Sequence, residues 1–270
     1  MRFLRLTWVE VRRAMHRRLV RWMIFIGCMV CVAAGVIAFV SSIDPVKFAR
    51  DAQHPARMVN WWGASGGDEF LTISALFLVV GSAICGASVV GAEWRAGTMT
   101  TMLTWMPMRV RLHAARTLSA ASIAFVVGFI IQALFLAATL PAVIAHGTTT
   151  GTDAAWWVGL LLAMLRISLV TSLVAVLAVS VATVGRNTSA ALVVLAGWAI
   201  MVERIVAGLW PKLGRFMIGE NVSIVVPWTP LTTVEFYRPP SLALATLLLY
   251  LAIIVVGSTA IFARRDVATT

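Results

Sequence analysis

Unbroken apolar runs constrain this chain more than any other feature. Residues 22–40, 69–92, 117–144, 190–209 and 242–262, with 164–184 inside a longer run from 154, are each close to or above the ~20 residues a helix needs to cross a hydrocarbon core. Within lipid every backbone amide and carbonyl must be satisfied inside its own segment, so runs of this kind must be helical. The expected fold is therefore all-α, a polytopic membrane protein with six transmembrane helices. Composition agrees: the 270 residues are 60% apolar and 12% charged, with a mean hydropathy of +0.92, against ~25% charged residues in a soluble domain. The polar stretches between spans reach about thirty residues, below the ~40 that usually fold unaided. No separate soluble domain is expected.

The segments between the spans carry their own signals. Residues 1–21 read as an amphipathic interfacial helix: Leu4, Trp8, Val11, Met15, Leu19 and Trp22 recur at spacings of three and four. Arg5, Arg12, Arg13 and Arg17 fall on the other side, placed to anchor the helix to lipid phosphate. Residues 41–68 form a loop broken at Asp44-Pro45, His54-Pro55 and Gly66-Gly67, and its Trp61-Trp62 pair suits a membrane interface. Ala83, Ala87 and Gly91 make a small-residue stripe that invites close helix approach. Residues 154–184 are too long for one simple crossing, so an interfacial helix with Trp156 and Trp157 is expected ahead of a span from about Met164. In the proline-rich stretch 210–241, Val222–Trp228 is too short to cross and reads as re-entrant or interfacial.

Charge then sets orientation. The net charge of +11 is not that of a nucleic-acid-binding protein, because the basic residues sit at the ends of apolar runs. With the N-terminus inside, 14 of the 22 basic residues fall on the inner side and only 6 on the outer. Both termini and the loop 93–116 are thus expected in the cytoplasm. Two further basic residues, Arg166 and Arg204, lie within spans.

Catalytic patterns are missing from the sequence. It contains no G-x-x-x-x-G-K-[ST] phosphate loop, no H-E-x-x-H and no G-x-S-x-G, and His16, His54, His113 and His146 are scattered. No metal site and no catalytic residue is assigned. Cys28-x-x-Cys31 has redox spacing but sits mid-helix in lipid, without the polar surroundings a reactive thiolate needs. Three polar positions within spans could line a translocation path: Gln132, Arg166 and Glu203. Gln132 could equally bond a neighbouring helix. Arg166 could pair with Glu203 or snorkel to the outer interface.

The segment 93–116 interrupts two long spans with a basic, ordered-looking loop. Glu93 to Trp105 is helix-compatible despite Gly97, with Glu93 near the expected helix start. Pro107 forces a break, and Arg109, Arg111 and Arg116 lead into the third span. Met99, Met102, Leu103, Trp105 and Met106 put apolar side chains on this segment, which need cover from lipid or from a partner.

The spacing Glu93-x-x-x-Gly97-Thr98, then Leu103, then Pro107-x-Arg109, resembles the signature loop of ABC-2-type permeases, the membrane subunits of bacterial ABC exporters. The likeness extends to six spans, an amphipathic N-terminal helix and a hairpin-like segment before the last span. Arg116 stands near where many relatives carry Lys, and Met106 and Met108 flank Pro107 where polar residues are frequent. The resemblance implies that 93–105 is a coupling helix docking on a separate ATP-binding subunit through Glu93, Gly97, Thr98, Met102, Leu103, Pro107 and Arg109. It further implies two such ATP-binding subunits and a second permease subunit, the same chain or a similar one. ATP and Mg2+ would be held by the partner, with no cofactor on this chain. The membrane would be the bacterial cytoplasmic membrane and the cargo a drug-like, peptide or lipidic molecule. An ATP-independent channel or carrier and an intramembrane lipid-modifying enzyme are the alternatives.

Overall fold

The computed structural model describes residues 3–62, 70–105, 108–232 and 237–264. Pro107, Gly66-Gly67 and Arg265 lie outside them. In chain order the elements are α1 (Phe3–Met15), α2 (Arg18–Ser42), α3 (Pro45–Arg50), a 3-10 turn (Met58–Trp61), α4 (Phe70–Arg95), α5 (Thr98–Trp105), α6 (Arg109–His146), α7 (Ala154–Gly185) and α8 (Thr188–Gly197). A π turn (Trp198–Val202), α9 (Glu203–Leu209), α10 (Pro211–Gly214), α11 (Ile218–Val225), the hairpin strands β1 (Leu231–Thr232) and β2 (Tyr237–Arg238), and α12 (Pro240–Arg264) complete it. Among the described residues, six helical stretches are long and apolar enough to cross a membrane: α2, α4, α6, α7, α8 through α9, and α12. The protein is an all-α polytopic membrane protein.

α7 is the central post. It packs along α4 and α6, α2 lies along α6, and α12 leans on α7 and α11. Small residues permit the tightest crossing, because Ala87 is buried with Ala178, Ala182 and Ala191, and a Cβ on Gly86 or Gly91 would run into Ala175 or Thr188. Two apolar clusters close the bundle at its ends. One gathers Trp61, Trp62, Leu136, Leu160, Ile167, Ile224 and Val225. The other gathers Ala14, Val90, Met99, Leu103, Leu112, Val179 and Phe262. This second end also carries the arginines of α1 and is called the basic end below.

Several expectations change. α7 is one unbroken helix of 32 residues, not an interfacial helix followed by a span. Its N-cap Asp153 accepts the Trp156 amide at 2.7 Å, no Pro stands inside it, and its Gly159 lies against the Trp62 indole. Trp61 and Trp62 are buried rather than spread on an interface: Trp61 Nε1 donates to the Pro55 carbonyl at 2.8 Å, and the Trp62 carbonyl accepts from Trp156 Nε1 at 2.7 Å. α6 runs for 38 residues, about 57 Å at the usual helical rise. Its first two turns therefore extend beyond a ~30 Å hydrocarbon layer and meet α1. α1 ends at Met15 instead of running into the first span, and Leu4, Trp8 and Met15 face outward while Leu6, Thr7, Glu10 and Ala14 face the bundle.

Candidate functional site

At the basic end, four segments meet over one buried carboxylate. Glu93 occupies the last turn of α4, not the start of a coupling helix, and is 4% exposed. The carboxylate there faces the negative end of the helix dipole, which is unfavourable by itself. Three guanidiniums offset this. Arg17, in the break between α1 and α2, donates from Nη2 to Glu93 Oε1 at 2.5 Å, and Arg13 Nη2 reaches the same oxygen at 3.1 Å. Arg116, in the second turn of α6 and fully buried, donates from Nη2 to Glu93 Oε2.

Glu10 on α1 extends the network, with Oε2 3.6 Å from Arg116 Nε and Oε1 3.9 Å from Arg13 Nη1. Arg17 also donates to the α4 carbonyls of Ser88 and Val89, at 2.7 and 3.0 Å. Burial pulls Arg17 below its ordinary range, with Glu93 opposing and Arg13 and Arg116 adding to the shift. With three arginines against two glutamates, the joint carries one surplus positive charge.

α5 is bolted to this joint through sulfur. Arg116 Nη1 approaches Met99 Sδ at 3.4 Å and its Nη2 approaches Met102 Sδ at 2.8 Å, while Arg13 Nη1 lies 3.5 Å from the same Met102 sulfur. Gly97 breaks the chain between α4 and α5 at φ +68, a left-handed conformation that glycine adopts without strain. Thr98 opens α5 and donates its hydroxyl to the Glu93 carbonyl at 3.4 Å. Met99 and Leu103 are buried and Met102 is half-buried, so this chain's own bundle provides their cover. The exposed face of α5 is instead polar, with Thr98, Thr101 and Thr104. Arg109 opens α6 half-buried, and Arg186, in the turn after α7, lies over the Trp94 ring at 4.8 Å.

Of the four arginines expected to grip lipid phosphate, Arg5 and Arg12 are exposed, whereas Arg13 and Arg17 turn inward to Glu93. The apolar stripe alone does not reveal this division. The signal that does is the scarcity of acids: Glu10 is the only one among the first 43 residues, and Glu93 the only one between Glu69 and Asp153. An isolated acid amid arginines is the one group able to order them.

The three polar span residues hold bonds outside the joint. Gln132 is fully buried and donates from Nε2 to the Gly128 and Met164 carbonyls and to Ser168 Oγ, at 3.1, 3.2 and 3.0 Å, joining α6 to α7. Arg166 bonds the Leu162 carbonyl at 3.0 Å, with its guanidinium over the rings of Trp62 and Trp228 at 5.1 and 5.5 Å. Glu203 has different partners. Its Oε1 accepts from Trp198 Nε1 at 2.9 Å and the Ile218 amide at 3.1 Å, and its Oε2 accepts from the Gly219 amide at 2.8 Å. It thus caps α11 from the end of span five.

The joint ties α1, α4, α5 and α6 together. The chain matches no family model and no curated protein.

Proposed function

We propose that this chain is the membrane permease subunit of an ABC-type exporter, moved by a separate ATP-binding subunit that docks on the exposed threonine face of α5. One observation carries the reading. A short helix between the second and third spans shows a polar face to solvent while its inner face is fastened, through Met99, Met102 and Arg116, to both spans. A push on such a helix is delivered to α4 and α6 rather than lost in a loop. The excess of basic residues on the same side supports a cytoplasmic placement of that face. ATP and Mg2+ belong to the partner; this chain would supply the α5 surface, a second copy or a similar permease would complete the path, and cargo would be drug-like, peptide or lipidic.

The test is docking-dependent ATPase stimulation. If the adjoining reading frame encodes a Walker A protein, the chain is co-expressed with it and nucleotide hydrolysis is measured in proteoliposomes. Thr101→Arg, on the outer face of α5, is expected to reduce co-purification and stimulation at least tenfold while the thermal midpoint stays unchanged. Undiminished stimulation in Thr101→Arg, or full transport by this chain alone, rejects the reading. Glu93→Ala does not serve here, since it removes a buried structural charge.

A further inference from the structure

A lateral cleft of about 240 Å³ opens between α2 and α4 and is floored by α6. By comparison, a cavity of about 150 Å³ suffices for benzene. On α2 the wall runs from Val20 to Cys31, on α4 from Ser74 to Val89 and on α6 from Ala120 to Phe135. At the helical rise these are lengths of about 17 to 22 Å, slightly more than one leaflet of a ~30 Å hydrocarbon layer.

The lining excludes polar cargo. Its hydroxyls are already used within their own helices: Ser74 donates to the Leu71 carbonyl at 2.6 Å, Ser82 to Val79 at 2.8 Å and Thr171 to Ile167 at 2.8 Å. Cys31 Sγ contacts the Ile131 carbonyl at 3.5 Å. What remains facing the cleft is aliphatic and aromatic surface, the chemistry of an alkyl chain.

One end of the cleft is charged. It stops at Ala14, Val20 and Val89, beside Arg17, which holds the Val89 carbonyl. Arg17 belongs to the joint with the surplus positive charge, and Arg18 and Arg21, at the start of α2, are exposed nearby in sequence. Arg21 lies one turn before the lining residue Ile24, on the same side of α2. An apolar slot one leaflet long, ending beside a joint of net positive charge and the exposed Arg21, is complementary to one amphiphile class.

We propose that the cleft binds one acyl chain of an anionic phospholipid, whose phosphate rests at Arg21, beside the net-positive joint that holds Arg17. The site is independent of the transport reading, because no nucleotide-binding subunit takes part in it.

Native mass spectrometry of the purified chain, titrated in mixed micelles with phosphatidylglycerol or phosphatidylcholine of identical acyl chains, tests this. One phosphatidylglycerol per chain is expected, retained at least tenfold more tightly than phosphatidylcholine. Gly81→Leu fills the cleft without a clash, since a Cβ at Gly81 meets nothing within 4 Å. It should abolish the tight phosphatidylglycerol. Arg21→Glu should remove the headgroup preference and leave residual chain binding. Equal retention of the two lipids by the unaltered protein overturns the headgroup assignment, and unchanged retention in Gly81→Leu overturns the cleft as the site. A thermal midpoint matching the unaltered protein in both variants rules out misfolding as the cause of any loss.

Discussion

At the scale of single residues, the protein concentrates its buried charge in one place. Removing one member of such a network leaves the others uncompensated, which costs about 3–5 kcal/mol in other proteins. Glu93→Ala is therefore expected to lower the thermal midpoint in detergent sharply, whereas Arg12→Ala, on the exposed side of α1, stays within about 0.5 kcal/mol of the parent. Equal midpoints for the two variants contradict the network as a structural anchor. A second residue acts at the opposite end. His54 accepts the Ala56 amide on Nδ1 at 3.1 Å, so its proton sits on Nε2, facing Ser41 Oγ at 2.8 Å. Burial pushes this imidazole below its ordinary value, with Arg57 adding and Asp51 opposing. Because the folded form resists the proton, its contribution is complete above pH ~6.5 and is lost as pH falls below that. Thermal midpoints measured between pH 7.5 and 5.5 should fall with acid, and fall less in His54→Gln. An identical slope in both proteins excludes His54 as the sensor.

At the scale of elements, the spans were legible in the sequence because hydropathy and helix length are tied by the thickness of the bilayer. The first span was expected at 22–40 and runs from Arg18 to Ser42; the last was expected at 242–262 and runs from Pro240 to Arg264. What hydropathy cannot see is where a helix continues beyond the lipid, so α7 was divided at residues that merely change from interfacial to buried. Nor can it see long-range ion pairs. Residues 93–105 read as one helix-compatible stretch starting near Glu93 despite Gly97, yet Gly97 at positive φ ends α4 and puts Glu93 in its last turn. The Met99 and Leu103 side chains read as needing cover from lipid or a partner, for want of any view of α1 and α6. Span five contains another invisible feature, the π turn at Trp198–Val202 that precedes Glu203. Glu203→Gln replaces one of its two acceptor oxygens with a donor and weakens the other as an acceptor, and an unmet buried donor costs about 1–3 kcal/mol. Amide exchange at Ile218 and Gly219 should accelerate while α7 is unaffected; unchanged exchange contradicts the cap.

For the whole molecule, the two ends differ in kind: one is a charged joint, the other a lid of tryptophans and short helices. Cysteines placed at Thr101 and Thr149, with Cys28, Cys31 and Cys85 replaced by Ala, should react with a membrane-impermeant maleimide from opposite faces of the membrane. In whole cells the Thr149→Cys protein is expected to label and the Thr101→Cys protein only after permeabilisation. The reverse pattern inverts the orientation and removes α5 from the cytosol.

Continuity of α6 has a further mechanical meaning. Its far end is stitched to the opposite lid, where the Thr148 amide bonds the Ala56 carbonyl at 3.2 Å and the Met58 amide bonds the Thr148 carbonyl at 3.0 Å. α6 stays helical through Pro141, and a helix tilts or bends more readily than it shortens. A displacement applied at Arg116 would therefore reach the tryptophan lid as a swing of α6.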